Sequence, residues 1–217
     1  MQNSFELLCH LKALGYIKEE VDEYWWPNSG TFEVVPGVIL VQNTKWKLVE
    51  RALGNLRSQD LLSFEALAEV DLPLLEELIK EVGLYKTKAA RLKRFCQNAT
   101  KDFADFEDFR EGADKEWLLA QKGIGLESCD SILCYACFHE EMVADKYAYK
   151  LLSSFGYTLE GYHEIKEWLE QGIREHYKEV MELYGYEISL HKVFARFHGK
   201  IVEHGKDRHK QTLKETL

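Results

Sequence analysis

Apolar residues recur at intervals of three and four along most of the chain, which is the spacing of one face of an α-helix. In the first such segment the apolar positions are Phe5, Leu8, Leu11 and Leu14. Ser4 stands before them as a candidate N-cap. The same spacing predicts helices that open at Thr44 and at Asp71, and a long helical stretch over residues 158–184. The pattern therefore predicts an all-α protein.

One segment, residues 32–41 (FEVVPGVILV), is ambiguous because it is rich in β-branched residues and contains Pro36 and Gly37. It could form a strand or a kinked helix. No second segment is suited to pair with it, and an unpaired strand leaves its backbone groups without hydrogen bonds. We therefore predict a buried helix that bends or begins near Pro36.

Composition supports a folded, helical chain. The 217 residues are 46% hydrophobic, enough for one large or two small domains, and only three prolines are available for tight turns. No apolar run approaches the roughly 18 residues that span a bilayer, and no export signal opens the sequence. The five cysteines are an odd count, which indicates free thiols. We expect a cytoplasmic protein with no membrane partner.

Charge is unevenly distributed. The formal net charge of −9 argues against nucleic-acid binding by bulk electrostatics. However, residues 86–101 hold six Lys and Arg and no acid, and residues 191–217 hold seven Lys and Arg against three acids. Basic patches therefore exist, and they could be solvated helix faces or a DNA surface.

Residues 117–138 (WLLAQKGIGLESCDSILCYACF) predict two helices joined through Gly123, Ile124 and Gly125, a helix-hairpin-helix. The amides of such a turn and of the following helix N-terminus can face one DNA phosphate, and glycine permits that close approach. Two glycines also occur in ordinary helix-helix turns, so this motif alone does not establish DNA binding.

Seven residues after the second helix stands Asp145, within MVADKYAYKLLSSFG. Together with the hairpin, this arrangement resembles the helix-hairpin-helix DNA glycosylases of the endonuclease III superfamily. FEVVPGVILVQNTKW and GLYKTKAARLKRFC resemble two further segments of that family in the right order. The resemblance covers about residues 4–200. It implies two helical domains, residues 28–139 and residues 1–27 plus 140–217, with a DNA cleft between them.

The resemblance also implies roles for individual residues. Asp145 matches the catalytic aspartate, and Gly123 and Gly125 match the glycines that bind a DNA phosphate, often through a monovalent cation. Gln42 matches the side chain that fills the gap left by an everted nucleotide, and Leu84 matches an apolar wedge. Gln42 could instead cap a helix, and Leu84 could be buried. The basic candidates for DNA contact are Lys86, Lys88 and Lys122.

Two departures from the family pattern refine the expected chemistry. Bifunctional members carry a lysine two residues after the hairpin's last glycine, but this chain has Glu127, which cannot form a Schiff base. We therefore expect no lyase activity. No cysteine follows Cys137, and Cys129, Cys134 and Cys137 diverge on one predicted helix. We expect no iron-sulfur cluster and no other cofactor.

Aromatic residues suggest the substrate. Trp25, Trp26 and Pro27 precede the Gln42 helix and Trp46 follows it, so they could wall a base pocket, although tryptophan is usually core. Lys206 could reach that pocket or a phosphate, or be a solvated surface lysine. An electron-rich slot favours cationic purines. With this aromatic segment and without the cysteines of an iron-sulfur cluster, the sequence resembles the type III 3-methyladenine DNA glycosylases.

Three functional hypotheses remain open. The first is a monofunctional, monomeric glycosylase that removes alkylated purines, above all 3-methyladenine, from double-stranded DNA, with Asp145 stabilising the oxocarbenium sugar. The second is a glycosylase/lyase acting on oxidised or mismatched bases, which requires a Schiff-base lysine. The third is a noncatalytic DNA-binding module that keeps only the hairpin.

Overall fold

The computed structural model describes residues 1–17 and 23–207. These residues form thirteen α-helices and no strand, which confirms the all-α prediction. The helices are α1 Ser4–Ala13, α2 Val34–Val41, α3 Trp46–Ser58, α4 Phe64–Glu69, α5 Leu72–Leu78, α6 Tyr85–Asp102, α7 Phe106–Gly112, α8 Lys115–Ala120, α9 Leu126–Tyr135, α10 Lys146–Ser154, α11 Gly161–Glu175, α12 Tyr177–Tyr184 and α13 Leu190–Lys206. In the same ranges, none of these helices is both long and apolar enough to cross a membrane.

The chain divides into two compact units. One unit is formed by Met1–Pro27 together with His139–Leu217, and the other by Asn28–Phe138. In the first, α13 packs against α1 and α10, and its core includes Leu8, Leu169 and Phe197. We call it the carboxylate unit because it contains Asp145, and we call the second the hairpin unit.

The ambiguous segment forms α2, the central helix of the hairpin unit. It packs against α3, α6 and α9, and its residues 34–40 are all buried. Pro36 fits because it lies in the first turn, where its missing N–H removes no helical hydrogen bond. The predicted buried helix is therefore confirmed, and it begins at Val34.

The structure corrects three details of the predicted helices. Residues 158–184 form two helices rather than one, because the chain leaves helical geometry at His176, whose ring stacks on Phe5. The first helix is capped by the side chain of Asn3, whereas Ser4 is buried. The third helix begins at Trp46, after Thr44. Periodicity misses such boundaries because they depend on capping hydrogen bonds, such as that of Asn3 with the Glu6 amide, and on distant contacts, such as that of Phe5 with His176.

Candidate functional site

The hairpin is the turn of residues 121–125 between α8 and α9. Gly123 adopts φ +93°, and a Cβ there would lie 2.6 Å from Cδ of Arg91, so this position requires glycine. Gly125, the N-cap of α9, is exposed, and a Cβ there would meet no atom within 4 Å. The N-terminus of α9 therefore opens on unoccupied space and can accept an anionic group.

Gln121 and Lys122 are the first two residues of this turn. Gln121 is buried, and its amide accepts a hydrogen bond from Asn98 Nδ2 (2.8 Å) and donates one to the Trp117 carbonyl (2.9 Å). These bonds give both ends of the buried amide a partner. Lys122 is exposed beside the turn. The hairpin is thus held in place by a polar anchor.

Gln42 lies at the end of α2, where its side chain contacts the hairpin. Its Nε2 donates to the Gly123 carbonyl (3.0 Å) and to Ser128 Oγ (3.1 Å), while its Oε1 accepts from Arg91 Nη1 (3.4 Å). Gln42 is the C-cap residue of α2, but its side chain bonds the hairpin rather than the end of its own helix. Arg91 and Ser128 were not singled out by sequence, although Arg91 belongs to the basic run of residues 86–101.

Leu84 is the most exposed of the large hydrophobic residues described, at 74%. It adopts φ +57° at the N-cap of α6, a conformation that is costly for a bulky side chain. Burial of Leu84 is therefore ruled out. An exposed apolar side chain on a strained backbone is common at functional sites.

The two lysines at the start of α6 lie in different environments. Lys86 is exposed, as a phosphate contact requires. Lys88 is 3% exposed, and its ammonium donates to the Leu40 carbonyl (2.8 Å) and to Thr44 Oγ1 (2.6 Å). Burial lowers the pKa of Lys88, and Arg91 adds to this effect. The expected DNA contact of Lys88 is corrected to a structural role, because its ammonium is directed at protein acceptors.

Asp145 caps the N-terminus of α10 in the carboxylate unit. Its Oδ1 accepts hydrogen bonds from the amides of Tyr147 (2.9 Å) and Ala148 (3.0 Å). Its Oδ2 lies 3.7 Å from Nε2 of His198 on α13, and both residues are buried. Burial acts to raise the pKa of Asp145, but His198 and the two amides outweigh it, so the pKa falls below its usual value. The group is thus a carboxylate at neutral pH.

Trp25 belongs to the same unit and contacts His198, the neighbour of this carboxylate. Its ring centroid is 5.3 Å from that of His198, and its Nε1 donates to Glu203 Oε1 (3.2 Å). It adopts φ +73° and packs on Gly199, where a Cβ would lie 2.4 Å from Cγ of Trp25. The half-buried indole is therefore positioned by α13.

The other expected pocket residues differ in placement. The Lys206 ammonium lies 5.5 Å from the Trp25 ring centroid and 3.2 Å from Glu203, so Lys206 does reach Trp25. Trp26 is buried, whereas Pro27 is exposed. Trp46 is half-buried in the hairpin unit. Of the tail, residues 208–217 lie outside the described residues.

The residues that sequence reasoning missed in this unit are His198, Gly199 and Glu203, all on α13. A glycine inside a helical pattern can mark a close approach of another group, and here Gly199 admits the Trp25 indole. No spacing in the sequence distinguishes His198 or Glu203. Across residues 1–17 and 23–207, no three His, Cys, Asp or Glu side chains are grouped so as to hold a metal ion.

A hairpin with an open helix N-terminus and a buried carboxylate twenty residues after its last glycine define a class of DNA repair enzyme. Residues 37–216 match the family described as HhH-GPD superfamily base excision DNA repair protein. The chain belongs to this family. It is a DNA glycosylase of base excision repair, and its partner is DNA.

Particular relatives sharpen the comparison. The chain is similar to the 3-methyladenine DNA glycosylase MagIII of H. pylori, solved bound to 1,N6-ethenoadenine, with 41% identity over 96% of this chain and 100% of that chain and a TM-score of 0.92. It is 34% identical to a Methanocaldococcus jannaschii protein named as a DNA repair glycosylase, over 94% of this chain and 90% of that protein. An endonuclease III-DNA structure shares the fold, with a TM-score of 0.65 and 16% identity over 97% of this chain and 92% of that chain.

Proposed function

We propose that this glycosylase is monofunctional and hydrolyses the N-glycosidic bond of alkylated purines in double-stranded DNA, with 3-methyladenine as its main substrate. The observation that carries the proposal is the buried, ionised carboxylate of Asp145 joined through His198 to the indole of Trp25. The similarity to a 3-methyladenine glycosylase over nearly the whole chain supports the choice of substrate.

The chemistry of such a substrate matches a site with one carboxylate. Alkylation at N3 makes the base cationic, so it leaves as a neutral molecule and needs no general acid. The sugar becomes positively charged, and a carboxylate about 4 Å away stabilises it by about 4 kcal/mol at an effective dielectric of about 20. That energy corresponds to a rate increase of about a thousandfold. Asp145 would also orient the attacking water.

Trp25 supplies the recognition of the base. Stacking of an everted base on an aromatic ring contributes about 1–3 kcal/mol, which offsets much of the cost of unstacking it. A cationic base gains further from the electron-rich indole face. The hydrogen bond to Glu203 and the contact with Gly199 fix the indole, so little entropy is lost when the base stacks.

DNA contacts are assigned to the hairpin unit. The amides at Gly123 and Gly125 would bind a phosphate, directly or through a monovalent cation, with Lys122 and Lys86 adding positive charge. Leu84 would act as the wedge beside the lesion, and Gln42 would fill the gap after its side chain leaves Gly123, Ser128 and Arg91. The exposure of Leu84 and Gly125 supports these roles.

We also propose that the enzyme forms no Schiff base and binds no iron-sulfur cluster. Glu127 occupies the position of the lyase lysine, in the first turn of α9. Cys129, Cys134 and Cys137 are buried, and within the described residues no three His, Cys, Asp or Glu side chains are grouped so as to hold a metal ion. We expect the protein to act as a monomer in the cytoplasm.

The test is a base-release assay over duplexes that carry 3-methyladenine, 7-methylguanine, 1,N6-ethenoadenine, 8-oxoguanine or a G:T mismatch. We expect free 3-methyladenine, no strand nicking and no borohydride-trapped adduct. Release of only oxidised or mismatched bases with a trapped adduct would instead identify a lyase. Salt-dependent DNA binding without release of any base would identify a noncatalytic module.

Asp145→Asn tests the carboxylate itself. Asparagine also caps helices, so folding should be retained while release of 3-methyladenine falls by about a thousandfold. The matched control is Asp105→Asn, because Asp105 caps α7 in the same way, by accepting from the Asp108 amide. This control should keep wild-type activity. A wild-type rate in Asp145→Asn would refute the proposed mechanism.

A further inference from the structure

We propose that His198 is a positioning residue that acts through Asp145, holding its carboxylate in a fixed orientation and linking it to Trp25. The inference rests on the proposed function, since it gives His198 a role in the reaction assigned to Asp145. His198 lies on α13, whereas Asp145 precedes α10, so the proposal adds to the site a side chain that is distant in sequence from the hairpin.

The Asp145 carboxylate is contacted at both of its oxygens. One oxygen of Asp145, Oδ1, is occupied by the two amides at the start of α10. The other oxygen, Oδ2, faces Nε2 of His198 at 3.7 Å, within ion-pair distance and slightly beyond a hydrogen bond. Contacts on both oxygens restrict rotation of the carboxyl group about its last bond. Such restriction keeps the charge directed at one place, as transition-state stabilisation requires.

Burial and the neighbouring groups have opposite effects on the pKa of Asp145. The groups acting on this carboxylate are the Tyr147 and Ala148 amides of its own helix and His198 of α13. Burial opposes ionisation, and His198 makes the largest contribution against it. Removing the imidazole leaves the two amides alone against burial. The pKa of Asp145 would then rise.

His198 also contacts Trp25, the proposed stacking surface for the everted base. The His198 ring meets Trp25 at an interplanar angle of 84°, an edge arrangement that fixes the relative position of the two rings. The next residue, Gly199, provides the space in which the indole sits. A single turn of α13 thus holds both the proposed stacking surface and the proposed catalytic carboxylate.

The experiment compares His198→Asn with the wild type in single-turnover release of 3-methyladenine from alkylated duplex DNA between pH 5 and pH 8. In the wild type the lowered pKa of Asp145 keeps the carboxylate ionised throughout, so its profile should be level. In the variant the pKa of Asp145 rises, so its rate should begin to fall at a higher pH than the wild-type rate does. The ionised fraction drops about tenfold for each pH unit below the pKa.

The matched control is His204→Asn. His204 lies on the same helix, is 4% exposed like His198, and contacts Tyr16 through its ring. A purely structural loss should affect both variants alike and leave both pH profiles level. The proposal expects the acid-side loss in His198→Asn alone, with thermal unfolding measured for each protein.

Failure of this inference is distinguishable from failure of the proposed function. If Asp145→Asn is inactive while folded His198→Asn keeps the wild-type profile, the role of His198 is overturned and the glycosylase mechanism stands. If Asp145→Asn is fully active, both are overturned. Should His198→Asn not fold, His198→Gln replaces it, because glutamine matches the imidazole more closely in length and stays uncharged. A level profile in folded His198→Gln also overturns the proposal.

Discussion

At the scale of single residues, two of the seven described non-glycine residues with positive φ lie at the proposed contacts with DNA and base. Leu84 and Trp25 both have positive φ, at +57° and +73°. Bulky residues rarely adopt this region, and holding one there costs about 1–3 kcal/mol. In each case the strained residue directs a large apolar group outward or into the proposed slot. The cost is consistent with selection for function rather than for stability.

Leu84→Ala tests whether the Leu84 side chain contributes to base release rather than to the free energy of unfolding. Because Leu84 is 74% exposed, its truncation removes little packing, and the free energy of unfolding should change by less than about 0.5 kcal/mol. Base release from lesion-containing duplex should fall if the side chain is a wedge. The control is Leu74→Ala, also exposed at 45%, which should leave both quantities unchanged. Equal activity of the two variants would remove Leu84 from the DNA contacts.

At the scale of elements, α6 shows how one helix serves both fold and function. Lys86 and Lys88 are two residues apart, so they point to different sides of the helix. The ammonium of Lys88 donates hydrogen bonds to the Leu40 carbonyl and the Thr44 hydroxyl. These bonds fix the end of α2 next to Gln42. The sequence shows a uniform basic run. Only the packing of α6 on α2 divides it into an interior lysine and a surface lysine.

The pair Lys86→Met and Lys88→Met tests this division. Lys88→Met leaves the Leu40 carbonyl buried without its donor, which should lower the free energy of unfolding by about 1–3 kcal/mol. Lys86→Met should leave the free energy of unfolding unchanged but weaken DNA binding. The slope of the logarithm of the binding constant against the logarithm of the salt concentration should become smaller by about one. Denaturant unfolding and DNA titrations at several salt concentrations measure both. A normal salt slope in Lys86→Met would contradict the proposed phosphate contact.

At the scale of the whole molecule, the functional groups are divided between the two units. The hairpin, Gln42 and Leu84 belong to the unit of Asn28–Phe138, whereas Asp145, His198 and Trp25 belong to the other. Each set is organised by its own interior: Gly123 packs on Arg91, and Trp25 packs on Gly199. Each unit therefore carries a preorganised part of the machinery that the proposed reaction uses.

The same interiors determine the reactivity of the cysteines. Cys9 is half-buried, whereas Cys96, Cys129, Cys134 and Cys137 are buried. Burial raises the pKa of Cys9 as well as that of Cys137, but only Cys9 is also partly accessible. Iodoacetamide at pH 8 followed by mass spectrometry should therefore label Cys9 first. Labelling of the other four should require unfolding, and their rapid modification in the native protein would contradict the described burial.

Features that depend on local spacing follow from the order of the amino acids alone. Apolar residues at helical intervals define the helices, and two glycines between two of them define the hairpin, because these features involve residues a few positions apart. The resemblance to a family then led to Asp145. Tertiary structure decided which side chains surround these features: the Lys88 ammonium donates to the Leu40 carbonyl across 48 positions, and the Trp25 indole donates to Glu203 across 178. Burial and electrostatic balance arise from such distant contacts, so no local pattern could assign Lys88 to the interior or His198 to the carboxylate.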